Sequence, residues 1–525
     1  MSCTKHSSAM RGLKIRINIV NKRRGQQECN ISNGMRLVHA ELTMKGHYPL
    51  KPHQIEGVQW LLDRERESDI KGGLLCDEPG MGKTIQMVAL MRANPVHSTL
   101  LIVPVCVVNQ WKEALRKIFG PGKVILHIGS SRPRSWKELK QLRVNRGTSG
   151  IIMITTYGIV TSSKPSKDNL LFENHWERVV IDEGHFIRNK KTLSFKKVNA
   201  LKRHHSWVLT GTPLQNKLSD IRTLFKFVAN KKTLPPLEKM VSEYFIRRTK
   251  DVLRESHTAL QNYTIINHHC PFKTEREQKT YMALHRNTMG DFGQVADTID
   301  GGGWMEMLEQ ILRLRQASID PNLAITSFRS KYDTNAWKLM KNRSTKIHKF
   351  IETIKEVEGY SLVFCHFRKE MELVKCELTK EGIDSEFYHG SMSSTERKSI
   401  IDRFPIEEVT NKVLIIQIKA GGVGLNLQQF TNIFIISPDW NPCNEIQAIA
   451  RAHRIGQTKP VNVHKFTVMC NSKFKEDCFQ LFCAEEDQPD LLTIDQIILK
   501  KQKLKRDMMS KTLSDDTLQF NETRA

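Results

Sequence analysis

The sequence contains no closely paired cysteines. Its 11 cysteines are scattered over 525 residues, and no two of them stand in a CxxC spacing. Structural zinc sites usually draw their ligands from such pairs, so we expect no structural zinc. A disulfide framework is not expected either, because the chain is long and we expect it to be intracellular. The thiols are interpreted as buried or idle side chains.

Long apolar runs are also missing. The longest, residues 100–108, is far shorter than the roughly 20 residues that a membrane-spanning helix needs. Residues 14–20 alternate between polar and apolar side chains, so they do not read as the apolar core of a secretory signal segment. We therefore expect an intracellular protein with no membrane partner.

Acidic residues are too few to balance the basic ones. Lys and Arg number 81 against 56 Asp and Glu, which gives a formal net charge of +25. Such a surplus favours an anionic partner, and the lack of apolar runs favours nucleic acid over a membrane surface. A composition of 39% hydrophobic and 26% charged residues excludes a mainly disordered chain. At roughly 150 residues per domain, the length indicates about three domains.

Two stretches of the chain alternate short apolar runs with longer mixed segments. Such runs suit buried parallel strands, and the spacers suit crossover helices, so we predict an α/β fold with two lobes. The predicted strands include residues 100–103, 151–154, 178–181 and 207–209 in the first lobe, and 361–364, 413–416 and 432–436 in the second. The predicted domains are a basic N-terminal extension (1–45), a first lobe (46–255), a helical linker or protrusion (256–340), a second lobe (341–490) and a charged tail (491–525).

A turn between a predicted strand and a predicted helix start has the chemistry of a phosphate-binding loop. Gly80 and Gly82 allow backbone N–H groups to face an anion. Lys83 can reach the β- and γ-phosphates of a nucleotide, and the Thr84 hydroxyl can ligate Mg²⁺. Asp77 stands where the usual pattern has Gly, so a chance surface turn remains an alternative for this motif alone. The predicted ATP-binding residues of the loop are Asp77, Glu78, Pro79, Gly80, Met81, Gly82, Lys83 and Thr84.

A second motif follows the apolar run at 179–181. Asp182 is placed to hold Mg²⁺, directly or through water, and Glu183 to orient and polarise an attacking water. Gly184 and His185 complete the tetrapeptide, which we call the acid box (182–185). Taken alone, the acid box could be a strand-end turn with solvated acids. The phosphate-binding loop upstream favours the catalytic interpretation.

In these and further motifs the sequence resembles the Swi/Snf family of DNA-dependent ATPases, within helicase superfamily two. The resemblance covers about residues 47–480, with the motifs in family order. It implies two tandem RecA-like lobes, ATP and Mg²⁺ as cofactors, and double-stranded DNA as the partner. The matching segments are 50–60, 101–104 with 109–111, 154–157, 182–185, 209–216, 246–251, 363–367, 389–392, 420–427, 439–442 and 447–457.

The resemblance also implies roles for single residues. Gln54 would recognise adenine. Coupling of the lobes would involve Thr210, Gly211, Thr212, Gly424 and Gln447. DNA contacts would involve Gly422, Asn426 and Trp440, although Trp440 could equally pack in the core.

Arg451 and Arg454 are spaced i, i+3, which predicts that they project from one helix face. A planar guanidinium matches phosphate oxygens, so we expect both residues to act as arginine fingers on the γ-phosphate. The alternative is a solvated basic helix face. A further basic cluster at 500–506 could be a nuclear localisation signal, a DNA-binding tail or a solvated helix face.

The sequence therefore predicts an ATP-driven translocase on double-stranded DNA that remodels protein–DNA complexes, acts in the nucleus and influences transcription. One alternative is an RNA helicase, against which the wording of the acid box argues. The other is a catalytically idle DNA-binding regulator. The intact set of Lys83, the two acids and the two arginines argues against that.

Overall fold

The computed structural model describes residues 49–130, 132–145, 150–163, 169–215, 218–231, 233–251, 262–295, 303–328, 341–405, 411–418, 425–474, 492–513 and 522–523. The chain divides into two compact units. The first comprises residues up to 78, 83–252 and 505–520, and the second comprises 79–82, 253–504 and 521–525. Each unit contains one seven-stranded sheet with helices, and every strand pair described in the two sheets is parallel.

The first sheet has the strand order β3-β4-β2-β5-β6-β1-β7. Its strands are β1 (Gly72–Leu75), β2 (Ser98–Val103), β3 (Val124–Leu126), β4 (Ile151–Thr156), β5 (Trp176–Asp182), β6 (Arg203–Leu209) and β7 (Phe245–Ile246). The helices around it are α1 (Pro52–Arg66), α2 (Lys83–Ala93), α3 (Val108–Phe119), α4 (Trp136–Asn145), α5 (Tyr157–Ser162), α6 (Leu170–Glu173), α7 (Leu193–Asn199), α8 (Leu218–Ala229) and α9 (Leu237–Tyr244).

The second sheet has the strand order β10-β11-β9-β12-β13-β8-β14. Its strands are β8 (Tyr263–Pro271), β9 (Ser361–Cys365), β10 (Ser385–Tyr388), β11 (Val413–Gln417), β12 (Asn432–Ile435), β13 (Val461–Met469) and β14 (Glu522–Thr523). The helices that follow β8 are α10 (Glu275–Val295), α11 (Gly303–Ile319), α12 (Pro321–Phe328), α13 (Thr345–Glu356), α14 (Arg368–Lys380), α15 (Ser394–Asp402), α16 (Pro442–Ile449) and α17 (Ile494–Leu513).

All seven strands named from the sequence are present. The central strands β2, β4, β9 and β12 are buried along their whole length, as expected for parallel strands covered on both faces. The α/β prediction with two parallel sheets is therefore confirmed. The seven cysteines that the described ranges include form no disulfide.

The segment predicted as a helical linker differs from the structure at its start. Residues 263–271 form β8, which pairs with β13 along nine residues and lies inside the second sheet. The polar pattern of this strand hid it, because Asn267, His268 and His269 interrupt the apolar alternation. Helices α10 and α11 then contribute buried side chains, among them Tyr281 and Leu314, to a core cluster of the second unit. The first part of the segment therefore belongs to the second lobe.

The predicted charged tail also contains a packed element. Helix α17 buries Ile494 and Ile498 in the same core cluster. The Asp495 carboxylate, fully buried, accepts a hydrogen bond at 2.5 Å from the Lys346 ammonium. Gln502, also buried, donates to the backbone oxygen of Asp439 at 2.6 Å. Lys500, Lys501 and Lys503 of the 500–506 cluster are exposed on this helix, whereas Gln502 between them is buried.

Candidate functional site

Parallel pairing places three strand ends of the first sheet side by side. Leu75 at the end of β1 pairs with Leu209 at the end of β6, and Leu209 pairs with Asp182 at the end of β5. The residues that follow these ends therefore meet at the carboxyl edge of the sheet. Ligands of open α/β sheets bind at this edge, so the phosphate-binding loop and the acid box converge where the chemistry is expected.

The two acids of the acid box sit in contrasting surroundings. The Asp182 carboxylate accepts a hydrogen bond on Oδ2 from the indole nitrogen of Trp111 at 2.7 Å. Its Oδ1 accepts from the backbone N–H of Glu183 at 3.0 Å. Burial and the neighbouring Glu183 charge raise the pKa of Asp182 to about 6, although the Trp111 hydrogen bond and the Lys83 charge oppose this shift. Glu183 Oε2 lies 3.2 Å from Nδ1 of His185.

A tight backbone turn presents these acids. Glu183 has a left-handed backbone with φ of 57°, which is uncommon for a residue with a side chain and often marks a functional turn. The Tyr157 hydroxyl donates to the backbone oxygen of Asp182 at 2.6 Å and so stabilises the turn. At Gly184 an added Cβ would lie 2.3 Å from Cγ1 of Val208, so only glycine fits here. Burial raises the pKa of Tyr157 well above its usual value, so the hydroxyl stays a donor.

Lys83 begins helix α2 beside the acids. Its ammonium donates to the backbone oxygens of Asp77 at 2.6 Å and Glu78 at 3.2 Å. Burial lowers the pKa of Lys83, while the charges of Glu183, Asp77 and Asp182 act in the opposite direction. The Lys83 ammonium is therefore near enough to both acids of the acid box for their charges to act on it, and its role in binding phosphate stays a prediction.

The Asp77 side chain has a structural partner that the sequence reasoning did not anticipate. Arg248 donates from Nε to Oδ1 at 3.0 Å and from Nη2 to Oδ2 at 2.5 Å, and Gln86 donates to Oδ2 at 2.9 Å. Burial alone would raise the pKa of Asp77, but the Arg248 charge and these hydrogen bonds lower it overall. The carboxylate is thus committed to holding the loop, while the backbone of Asp77 meets Lys83.

Hydrogen bonds and left-handed backbone angles position several of the other predicted ATP-binding residues. Gln54 lies in the first turn of α1, where its Oε1 accepts from the backbone N–H of Lys51 at 3.0 Å. Gly80 and Gly82 have φ of 90° and 86°, conformations that side chains other than glycine rarely adopt. Glu78 accepts on Oε2 from the backbone N–H of Lys250 at 2.8 Å. Contact of these residues and of Pro79, Met81 and Thr84 with ATP stays a prediction.

A chain of hydrogen bonds joins the segment after the acid box to the predicted coupling motif. Arg188 donates to Oε1 of Gln215 at 2.5 Å, and Gln215 donates to the Thr212 hydroxyl at 3.1 Å. The Thr212 backbone N–H in turn donates to the Thr210 hydroxyl at 3.1 Å. Gly211 offers its backbone oxygen to Arg247 at 3.2 Å. Arg188 lies three residues after the acid box, and its backbone N–H donates to the backbone oxygen of His185 at 3.4 Å.

In the second unit the predicted arginine geometry is wrong. Helix α16 ends at Ile449, and Arg451 and Arg454 lie in the turns that follow it, so they do not share a helix face. The helix ends because the N–H groups of Arg451 and Ala452 bond three residues back, to Ala448 and Ile449, instead of four. Arg454 Nη1 approaches the backbone oxygen of Leu425 at 3.5 Å. Their role as arginine fingers stays a prediction.

The structure describes three of the five remaining predicted residues. Gly422 and Gly424 lie outside the described residues. Asn426 is exposed, and Gln447 is buried in α16. Trp440 is partly buried and packs against the core cluster that includes Phe272 and Tyr281, and its contact with DNA stays a prediction.

Two features are absent from the described part of the chain. Within it, no group of three or more His, Cys, Asp or Glu side chains is arranged to hold a metal ion by itself. No helix of the same residues combines the length and the apolar character needed to cross a bilayer.

Two family models match the chain over these lobes. An SNF2-related domain matches residues 53–233, and a helicase conserved C-terminal domain matches residues 345–456. Together they span more than half of the 525 residues. The chain therefore belongs to the Swi/Snf family of SNF2-related ATPases in helicase superfamily two.

Relatives come from viruses, bacteria and plants. The probable global transactivator of Orgyia pseudotsugata multicapsid polyhedrosis virus is 26% identical over 441 residues, which cover 80% of this chain and 86% of the relative. The putative ATP-dependent helicase/translocase YwqA of Bacillus subtilis is 28% identical, with 79% of this chain and 46% of the relative covered. The ATP-dependent DNA helicase DDM1 of Arabidopsis thaliana is 25% identical, with 80% and 59% covered. The chain thus spans about half the length of the last two relatives.

Solved structures of similar chains include two from Sulfolobus solfataricus. Its SWI2/SNF2 ATPase core in complex with dsDNA is 24% identical, covers 89% of this chain and 97% of that chain, and has a TM-score of 0.35. The second structure, of the SWI2/SNF2 ATPase core domain from the same organism, is 25% identical, covers 80% of this chain and 86% of that chain, and has a TM-score of 0.36.

Proposed function

We propose that this protein is an ATP-driven translocase on double-stranded DNA that remodels protein–DNA complexes and thereby influences transcription. Family membership makes the chain an ATPase of helicase superfamily two. The proposal adds double-stranded DNA as the substrate and movement along it as the outcome of hydrolysis. The observation that carries it is the convergence of Lys83, Asp182 and Glu183 at the carboxyl edge of the first sheet. A DNA-binding regulator without catalytic activity would not require these three charged side chains to lie together.

The acid box fits a divalent cation that accompanies the nucleotide. Carboxylate oxygens are the ligands that Mg²⁺ prefers, and it is held in such sites by one or two carboxylates together with phosphates. Burial and the Glu183 charge already disfavour the negative charge on Asp182. A cation at this position would offset both effects. When bound, Mg²⁺ supplies positive charge that neutralises the phosphate oxygens.

Each residue of the site then has one task. Lys83 leaves the backbone oxygens of Asp77 and Glu78 and pairs with the β- and γ-phosphates. Asp182 and Thr84 are the residues that would hold Mg²⁺. Glu183, which directly follows Asp182 at the end of β5, orients the attacking water. The chain from Arg188 through Gln215 to Thr212 connects this site to the coupling motif.

DNA as the partner is supported by charge and by relatives. The net charge of +25 suits a polyanion, and binding through phosphates reads shape and charge more than sequence. The Bacillus subtilis relative is named a helicase/translocase, and the Arabidopsis thaliana relative a DNA helicase. For this chain we propose Gly422, Asn426 and Trp440 among the DNA contacts.

A role in transcription and a nuclear location rest on the viral relative. That protein is named a probable global transactivator, and this chain covers 86% of it. By analogy we propose action in the nucleus, which is the host nucleus if the chain is viral. We propose that Arg451 and Arg454 complete the hydrolytic machinery, a contribution of about 10³–10⁵ in rate where arginine fingers have been measured.

The proposal is tested by the ATPase rate measured in parallel without nucleic acid and with duplex DNA, single-stranded DNA and RNA. We expect duplex DNA to stimulate hydrolysis strongly and RNA to do so weakly. Strong stimulation by RNA alone would favour an RNA helicase. No hydrolysis under any condition would favour an idle DNA-binding regulator.

A further inference from the structure

A buried tryptophan donates a hydrogen bond to the acid box. Trp111 belongs to helix α3 and is fully buried. Its indole N–H donates to Oδ2 of Asp182 at 2.7 Å, across 71 residues of sequence. Since the backbone N–H of Glu183 donates to Oδ1, each oxygen of this carboxylate has one fixed donor.

The other buried tryptophans show what a purely structural indole does. Trp176 donates to the backbone oxygen of Leu171 at 3.0 Å. Trp207 donates to Oε1 of Glu65 at 2.8 Å, but Glu65 forms a buried ion pair with Arg178. A buried indole N–H needs an acceptor, and a backbone oxygen or a paired carboxylate satisfies that need. Trp111 differs because its acceptor is an acid that the proposed function uses.

The orientation of a carboxylate depends on such donors. Rotation about χ2 of an Asp side chain is broad, so its oxygens are not fixed by the side chain's own torsions. With one donor on each oxygen, Asp182 keeps a single orientation. Residues that orient the ligands of a metal in this way typically change metal affinity or activity by about 10–100-fold when they are altered.

We propose that Trp111 is a positioning residue of the nucleotide site: its indole N–H fixes the Asp182 carboxylate in the orientation that receives the divalent cation of bound ATP. The proposal rests on the proposed function, because it requires nucleotide and cation at the acid box. It gives the Trp of the 109–111 segment a task in nucleotide chemistry in addition to its place in the core.

Trp111→Phe tests this inference, with Trp207→Phe as the matched control. Both substitutions remove an indole N–H that donates to a buried carboxylate, and both shrink a fully buried side chain in the same unit. The measurement is the affinity of a fluorescent, non-hydrolysable ATP analogue over a Mg²⁺ titration, with a reference in EDTA. Affinity is read as binding and needs no turnover.

We expect Trp111→Phe to leave the EDTA affinity unchanged and to shift the Mg²⁺ midpoint upward by about 10–100-fold. Trp207→Phe should keep the wild-type midpoint. Equal midpoints in the two variants would overturn the inference. If the nucleotide affinity of the wild-type protein did not change with Mg²⁺ concentration, that result would instead contradict the proposed function.

Two further variants separate positioning from packing. Benzothienylalanine at position 111 replaces the N–H by sulfur and keeps the ring shape, so it serves if Trp111→Phe does not fold. It should reproduce the midpoint shift. Adding Trp111→Phe to Asp182→Asn should give no further shift, because the indole acts through Asp182. A further shift in that double variant would mean that Trp111 acts by another route.

Discussion

Arg248 and Asp77, 171 residues apart in the chain, form a buried bidentate ion pair in the first unit. The pair joins the start of the phosphate-binding loop to the segment that follows β7. Arg248 also donates to Oε1 of Gln86 at 2.8 Å and to the backbone oxygen of His53, so one guanidinium fixes three segments around the loop. The planar fork of Arg suits this arrangement, and a Lys could not reproduce it.

Arg248→Met should destabilise the first unit strongly. Removing one partner of a buried pair leaves the other charge without compensation, which typically costs about 3–5 kcal/mol. Lys239→Met removes one partner of an exposed pair with Glu243 in the same unit and should cost less than about 1 kcal/mol. The check is urea denaturation followed by circular dichroism. An equally small decrease in the free energy of unfolding in both variants would contradict the structural role of the Arg248–Asp77 pair.

The same pair predicts a pH dependence. The folded pKa of Asp77 lies below its ordinary value of 3.8. Its stabilising contribution is therefore fully present above about pH 4 and is lost as the pH falls through the lower folded pKa. Burial alone would raise the pKa of Asp77 in Arg248→Met, so the difference in unfolding free energy between the wild type and this variant should begin to narrow above pH 4 and continue to narrow below it. A difference that stays constant from neutral pH into this acid range would argue that Asp77 does not respond to Arg248.

Lys83→Ala should nearly abolish ATP hydrolysis while the protein stays folded and binds DNA. The reason is its position at the start of α2 beside both acids, where phosphate is the expected partner. Lys71→Ala is the control, because the half-buried Lys71 likewise donates to a backbone oxygen, that of Arg66 at 2.7 Å. Steady-state hydrolysis and fluorescence anisotropy with labelled DNA give the two readouts. If Lys83→Ala retained a large part of the wild-type rate, the loop assignment would be wrong.

Glu183→Gln should keep ATP affinity and lose turnover. Groups that position or stabilise the reacting atoms typically contribute about 10²–10³ in rate. Glu177→Gln serves as control, since Glu177 lies in the same strand β5 and accepts from the backbone N–H of His97 at 2.9 Å. Nucleotide binding and single-turnover hydrolysis separate the two effects. Loss of binding with normal turnover in the bound fraction would indicate a structural role for Glu183.

Local motifs predicted which segments meet at the carboxyl edge of the first sheet. The phosphate-binding loop and the acid box each follow a buried strand, and parallel pairing is enough to bring Lys83 close to Asp182 and Glu183. The seven strands were visible because each is a short apolar run. Such features depend on residues that are close in sequence.

Contacts between distant segments could not be read in this way. Nothing near Trp111 indicates Asp182 as its acceptor, and nothing near Lys346 indicates Asp495, which is 149 residues away. Strand β8 was missed because its polar residues break the alternation, although pairing with β13 stabilises it over nine residues. The i, i+3 spacing of Arg451 and Arg454 was read as helical, but the helix ends before both.

The central claim is movement along an intact DNA duplex driven by ATP. Binding itself should be salt-sensitive, because phosphate contacts release counterions with a slope of about −0.9 in log affinity per contacted phosphate. Movement requires a separate assay, since hydrolysis and binding can both occur without it.

Triplex displacement measures that movement directly, because a translocase removes the third strand without opening the duplex beneath it. A forked duplex of the same sequence, tested in parallel, reports strand separation. We expect ATP-dependent triplex displacement by the wild type, its loss in Glu183→Gln, and no unwinding of the fork. Robust unwinding of the fork without triplex displacement would contradict the translocase and indicate a strand-separating helicase.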